Sequence, residues 1–334
     1  MTLTVPAEWS PHRAMWLGFP SHAELWEDDL EPAQAEVAAL ALALAGPGRE
    51  RVRLMVCGED AMAVARLLLG GAEGVELVPA RFGDIWLRDT GPIFTRDDGV
   101  LRAAGFRFNG WGGKYLLDGD DTVAGQIAAA AGAPLAANDF VLEGGALDHD
   151  GQGTIVTTRQ CLLNPNRNPG LDAAALERAL ATALGVRKVL WLGDGLAGDH
   201  TDGHVDNLAR FVAPGVVACP IAYGADDPNA EVYDAAARAL ADMSDADGVP
   251  LRVMRIPSPG LITDDDGETV AASHMNFLIA NGAVIAPTYE AAASGFALAA
   301  LRSLFPDREV IGLPAGAILT GGGSFHCITQ QEPA

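Results

Sequence analysis

Along this chain, stretches with apolar residues at three- and four-residue spacing alternate with short, continuous apolar runs. The first pattern marks a helix with one buried face, and the second a buried strand. Helices are expected near residues 32–45, 60–70, 120–131, 171–184, 229–243 and 290–304, each rich in alanine and leucine. Most are followed by a strand-like run: R-V-R-L-M-V, G-V-E-L-V-P, R-K-V-L-W-L, P-L-R-V-M-R-I and R-E-V-I-G-L. Apolar, β-branched runs of this length suit buried strands. Hairpin signals stand between the units, at Asp98-Gly99, near Asp150-Gly151, at Pro214-Gly215 and at Asn281-Gly282. Asn-Gly and Asp-Gly pairs supply the positive φ that a tight turn needs.

The resulting beat is hairpin, helix, strand, several times over. Repetition of one unit means stacking along a line or around an axis. An open α/β sheet would alternate strands simply with helices, and the hairpins speak against it. No Pro/Ser/Gly-rich linker divides the 334 residues, so one closed domain over 1–334 is expected. The chemically loaded segments fall after the short strands or just inside the next hairpin, so a ring of units would bring four of them to one mouth.

Charge narrows the partners. The chain holds 44 acidic and 22 basic residues, a net charge of −22. This argues against nucleic acid as a partner, because phosphate binding needs basic patches. A cationic substrate is compatible, since a negative field speeds its approach, although an acidic surface also serves solubility alone. No apolar run is long enough to cross a bilayer. The N-terminus lacks the basic-then-apolar pattern of a signal peptide, and a soluble cytoplasmic protein is expected. The four cysteines lie far apart with no C-x-x-C pair, which argues against a disulfide framework or a cysteine-ligated zinc. Cys57 and Cys219 sit in apolar runs and read as core, while Cys161 stays open.

Candidate chemistry concentrates at G-G-G-S-F-H-C-I-T-Q-Q, residues 321–331. Cys327, beside His326, follows a glycine run that lets backbone approach a ligand, so it is a candidate nucleophile. It could equally be a buried apolar residue of a C-terminal strand. In T-D-G-H-V-D, His204 and Asp206 are two apart and would share one face of a strand. An imidazole can act as acid and base near neutrality, and a neighbouring carboxylate can orient it or bind a cation. His200 and His204 are four apart, which on a helix would suit a metal, with Asp206 as a third ligand. Gly203 resists a helix there and the Glu of H-E-x-x-H is missing, so no metal is expected.

Four further segments stand out. W-L-R-D-T-G-P places Asp89 beside Arg88 and near Trp86. An Asp-Arg neighbour pair is often structural. A carboxylate near an indole is also a cradle for a flat cation, through paired acceptors and cation–π attraction. L-E-G-G sets Glu143 before two glycines. F-N-G-W-G-G-K, with Trp111 and Lys114, lacks phosphate-loop spacing and suits a mobile rim. N-P-N-R-N-P at 164–169 reads as rigid turns.

Taken in order along essentially the whole chain, these segments resemble the agmatine deiminase family, which is grouped with the bacterial-type peptidylarginine deiminases. C-L-L-N-P-N-R-N-P and N-F-L-I-A-N-G-A-V-I-A-P add to the match. The resemblance implies the pentein fold, an α/β-propeller of five ββαβ-like units around a central active site. It also implies hydrolysis of a guanidine to a urea with release of ammonia, with no metal and no organic cofactor. By motif, Cys327 matches the nucleophile, His204 the acid–base group, Asp89 and Asp206 the carboxylates that grip the guanidinium, and Glu143 the support of the histidine. Trp86, Trp111 and His200 are the further candidates for substrate contact.

The expected partner is a small cationic guanidine. Agmatine, which would give N-carbamoylputrescine, comes ahead of another alkylguanidine, arginine or peptidyl arginine. A homodimer is the expected assembly. The chain departs from the family pattern at His200, where an acidic residue is common and could hold the far amine, and at Ser324-Phe325, where Asn-Ile is common. Two readings from other classes compete: a metal-dependent hydrolase using His200, His204 and Asp206, and a non-catalytic pentein binder, which would have little need of the nucleophile.

Overall fold

The computed structural model describes residues 3–334. Helices form where the three-and-four spacing predicts them: Leu30–Ala45, Glu59–Leu69, Val123–Ala131, Ala173–Leu184, Ala230–Ala241 and Ala293–Leu304. Ala173–Leu184 shows why. The Asp172 carboxylate caps its start by accepting from the Ala175 N–H at 2.8 Å, and Gly185 ends it at φ 71°. Leu176, Leu180 and Leu184 recur every four residues and pack with Ile155 in one buried cluster. Each leucine so buried contributes about 1.5–3 kcal/mol.

The strands assemble into five small sheets among the described residues, none with more than four strands, which excludes the open sheet. One unit repeats. Ile93–Asp97 turns at Asp98 (φ 48°) and Gly99 (φ 84°) into the antiparallel Val100–Arg107. The helix Val123–Ala131 then carries the chain to Leu135–Val141, parallel to Val100–Arg107. The same order holds for Asp148–His149, Thr154–Thr158 and Lys188–Leu192. It recurs in Arg210–Ala213, Val216–Ile221 and Arg252–Pro257, and in Leu278–Ile279, Ala283–Thr288 and Glu309–Pro314.

The fifth sheet is made from both ends of the chain. Thr329–Pro333 lies antiparallel to His12–Gly18, which continues in parallel to Val52–Val56 and Val75–Pro79. Chain closure thus completes the ring. It also holds Cys327, two residues before Thr329, where a sheet can clamp it. Five segments lead from the last strand of one sheet to the first strand of the next. They hold Asp89, Glu143, His204 with Asp206, Asn276 and Cys327. No helix among the described residues is long and apolar enough to cross a membrane.

Candidate active site

All five of these connecting segments meet at one place. His204 and Asp206 do not lie on a strand as expected. His204 precedes a short 3-10 turn, Val205–Asn207, and the strand begins only at Arg210. Gly203, at φ 89°, prevents the extended run. The two side chains converge nonetheless, because the turn wraps around Gly145. A Cβ built on Gly145 would lie 2.6 Å from His204 Nδ1, 2.9 Å from Asp89 Oδ1 and 3.2 Å from Asp206 Oδ2. Glycine is required there so that three polar groups can close on the backbone.

Cys327 precedes the C-terminal strand rather than lying in it, and is 6% exposed at the floor of a cavity of about 490 Å³. Its Sγ is 3.6 Å from Asp206 Oδ2 and accepts from Asn276 Nδ2 at 3.2 Å. Asn276 Oδ1 in turn accepts the backbone N–H groups of His326 and Cys327, at 2.9 and 3.2 Å. Asn276 thus fixes the backbone and side chain of Cys327 together. It was absent from the sequence expectations, although its place just before Leu278–Ile279 follows the repeat that locates the other four.

His204 lies between two carboxylates, Nδ1 3.7 Å from Asp89 Oδ2 and Nε2 3.8 Å from Glu143 Oε2. Burial alone would push the imidazolium down, but Asp89, Cys161 and Glu143 outweigh it and hold its pKa well above the ordinary value. Glu143 is anchored by Arg167, whose Nε donates to Oε1 at 2.7 Å. Burial opposes the charge of Glu143, yet His204 and Arg167 keep it below the usual carboxylate range. The turns at 164–169 therefore do more than shape a loop. Arg167 also donates to Asp202 Oδ2 at 2.6 Å, tying the Glu143 segment to the His204 segment.

Asp89 does not pair with its neighbour Arg88. Its oxygens accept from Gly145 N and Trp111 Nε1, both at 2.9 Å. Burial first, then Asp206 and Glu143, against the pull of His204, raise its pKa to about 6. Arg88 turns instead to Gln331 Oε1 at 2.7 Å, and its backbone N–H donates to Cys327 O at 3.0 Å. Asp206 stays below its ordinary value despite burial, through the bond from His326. The Cys327 thiol is pushed well up, by burial and then by Asp206 and Asp89.

The walls are aromatic. Trp86 and Trp26 stack with centroids 6.3 Å apart, and Asp84 accepts from both indoles, at 2.6 and 3.0 Å. Trp111 is held at φ 52°, a left-handed conformation that costs a residue with a side chain about 1 kcal/mol or more, and this aims its N–H at Asp89. Tyr115 OH meets His200 Nδ1 at 3.0 Å and Lys114 Nζ meets Asp202 Oδ1 at 2.6 Å, so the Gly-rich segment is docked rather than loose. His200 lies on the cavity wall, at the exposed side.

The metal-ligand set His200, His204 and Asp206 is not brought together. Among the described residues, the His, Cys, Asp and Glu atoms near enough to share an ion are those of Glu143, Cys161 and His204, a set without His200 or Asp206.

A family model for Porphyromonas-type peptidyl-arginine deiminases matches residues 4–333. The chain belongs to this family. It is 41% identical to the agmatine deiminase of Pseudomonas aeruginosa (strain LESB58), over 99% of this chain and 95% of that one. It is also 41% identical to the agmatine deiminase of Stutzerimonas stutzeri (strain A1501), with the same coverage. Among solved structures, the agmatine deiminase of Enterococcus faecalis superposes with a TM-score of 0.93 at 34% identity, over 99% of this chain and 96% of that one. A cysteine-to-serine variant of the C. jejuni agmatine deiminase, solved with substrate bound, matches at a TM-score of 0.88 and 26% identity, over 99% and 96% of the two chains. At 12% identity, an amidinotransferase from Microseira wollei still matches with a TM-score of 0.55, which shows the fold alone. The ring of five sheets is the pentein propeller. Within this peptidyl-arginine deiminase family member, residues far apart in sequence gather around one thiol, at the end of the ring where the five connections meet.

Proposed function

We propose that the protein is an agmatine deiminase, hydrolysing the guanidinium of agmatine to N-carbamoylputrescine and ammonia through a covalent thiouronium on Cys327. The observation that carries the proposal is the juxtaposition of one buried thiol, two buried carboxylates and a buried histidine, with Cys327 and Asp89 lining an acid-rimmed cavity. Residues 1–334 act in this reading as one catalytic domain, because every connection of the ring contributes to the site.

Asp206 Oδ1 is buried and has no partner among the described residues, which leaves it for a guanidinium N–H. Asp89 offers its remaining lone pairs beside it. Two carboxylates hold the planar cation with its carbon over the sulfur, an orientation effect. Burial and then the two carboxylates raise the thiol, and the arriving charge offsets those carboxylates, so Cys327 gives up its proton to solvent more readily once substrate is bound. The thiolate attacks the guanidinium carbon. The His204 imidazolium protonates the departing nitrogen, the carbon–nitrogen bond breaks, and ammonia leaves. Neutral His204, oriented by Glu143, then takes a proton from water as its oxygen bonds to the thiouronium carbon. The carbon–sulfur bond breaks, the hydroxyl proton returns to sulfur, and the ureido product departs.

The cavity mouth favours a substrate with a second positive charge. Glu27, Asp28, Asp29 and Asp265 line it, and no lysine or arginine is found among the described residues that do. The α-carboxylate of arginine would meet acids and no cationic partner there. The acid rim also makes an acidic residue at position 200 dispensable for attracting the far amine. Ammonia release from agmatine, arginine, a blocked peptidyl arginine and simple alkylguanidines tests the proposal, with Cys327→Ala alongside. Selective, Cys327-dependent release from agmatine is expected. Release from arginine at a comparable kcat/KM would overturn the substrate assignment.

A further inference from the structure

His326 stands next to the nucleophile but points away from it. Its Nδ1 meets Asp206 Oδ2 at 2.8 Å and its Nε2 meets Glu8 Oε2 at 3.3 Å. Both partners are carboxylates, and carboxylates only accept. Glu8 is itself fixed. Its Oε1 accepts from Ile279 N at 2.7 Å and its Oε2 from Arg210 Nη2. Arg210 is fully buried. It donates to Asp148 Oδ2 at 2.5 Å and to the carbonyls of Met275 and Phe277 at 3.1 and 3.0 Å. The Arg210 guanidinium also lies 4.9 Å over the Phe277 ring. An imidazole is thus clamped between a carboxylate of the site and a buried ion pair anchored in three other segments.

We infer that His326 is a positioning residue: braced by Glu8 and Arg210, it holds one oxygen of Asp206 so that the other faces the substrate. The inference rests on the proposed deiminase reading for the word substrate, and on geometry alone for the rest. The terminal torsion of an aspartate is broad and roughly two-fold. Without the Nδ1 contact, either oxygen of Asp206 could turn toward the cavity. Oδ2 is also the oxygen 3.6 Å from Cys327 Sγ. Bonding from His326 draws charge from that oxygen, and so reduces its repulsion of a thiolate. One clamp therefore serves both guanidinium orientation and thiolate formation. No segment near His326 in sequence reveals it, because Glu8 and Asp206 come from distant parts of the chain.

Two substitutions separate the halves of the clamp. In His326→Asn the amide nitrogen takes the place of Nδ1 and can still donate to Asp206. In His326→Gln the amide nitrogen takes the place of Nε2, reaching Glu8 and leaving Asp206 free. Both are compared per folded site, by thermal melts and steady-state kinetics with agmatine. KM for agmatine is expected to rise at least tenfold in His326→Gln and to recover most of the loss in His326→Asn. Iodoacetamide labelling of Cys327 against pH, read by peptide mass, should shift upward by about one unit in His326→Gln. Equal KM values in the two variants, with an unmoved labelling profile, would overturn the inference and leave His326 a packing residue. The labelling profile needs no substrate. If the wild-type protein released no ammonia from agmatine, the functional reading would fail while the clamp was still tested by that shift.

Discussion

Replacing Gly145 by alanine tests the convergence of the site with a single methyl group. Gly145 is not among the glycines with positive φ, so the substitution brings no backbone strain and its effect is steric. The new Cβ would sit 2.6 Å from His204 Nδ1, about 0.8 Å inside the 3.4 Å at which ordinary contact begins. Asp89 Oδ1, at 2.9 Å, and Asp206 Oδ2, at 3.2 Å, are also crowded. The proposed acid–base group and both proposed guanidinium ligands must therefore move together, and the Gly145 N–H that holds Asp89 moves with them. Misplacement by about 1 Å can cost about 100-fold in rate, and overpacking a buried site costs about 1–3 kcal/mol. Gly145→Ala should lower kcat/KM for agmatine about 100-fold and Tm by a few degrees, with a folded far-UV spectrum. The assay is ammonia release from agmatine at saturating and limiting concentrations, beside a thermal melt. A variant with kcat/KM within threefold of wild type would refute the claim that these three side chains act from positions set by Gly145.

Other perturbations probe the remaining links. Cys327→Ala should abolish turnover while leaving the melt close to wild type; turnover near the wild-type rate would sink the covalent mechanism. Asp89 must be ionised to grip a cation and its pKa is about 6, so kcat/KM should fall as pH drops through 6 and this inflection should vanish in a slow Asp89→Asn variant. For stability the sign is opposite: the raised carboxyl contributes below the unfolded value near 3.8 and loses that contribution as pH rises through 6. Arg167→Ala strips the buried Glu143 of its partner and should cost about 3–5 kcal/mol, measured by urea unfolding; a loss below about 1 kcal/mol would show Glu143 to be neutralised otherwise. Neutralising Glu27, Asp28 and Asp29 together should raise KM for agmatine with little change in kcat, and the difference from wild type should shrink in high salt; unchanged KM would remove the rim from substrate capture.

Local physics decided the elements. Helices and strands appear where apolar spacing places them, because burial of one face is a property of sequence period. The turn at Asp98-Gly99 forms because those two residues accept positive φ. The same repeat, hairpin then helix then strand, was enough to put the chemically loaded segments at equivalent points of a ring, and family resemblance supplied the count of five. His204 and Asp206 show the limit of such reading. Their expected strand is a 3-10 turn, and they still meet, for a reason that lies in the packing against Gly145 rather than in their own spacing.

What only the tertiary structure decided is which groups become partners. Asn276 reaches the sulfur, Arg167 reaches Glu143, and Glu8 reaches His326, across separations of 51, 24 and more than 300 residues. No period or motif encodes such contacts, since they depend on how five sheets close around an axis. The sequence by itself determined the repeat, the candidate nucleophile and the acidic character of the molecule. Closure of the ring by Thr329–Pro333 on His12–Gly18 determined the rest, because burial around one thiol fixes every distance and pKa on which its chemistry depends.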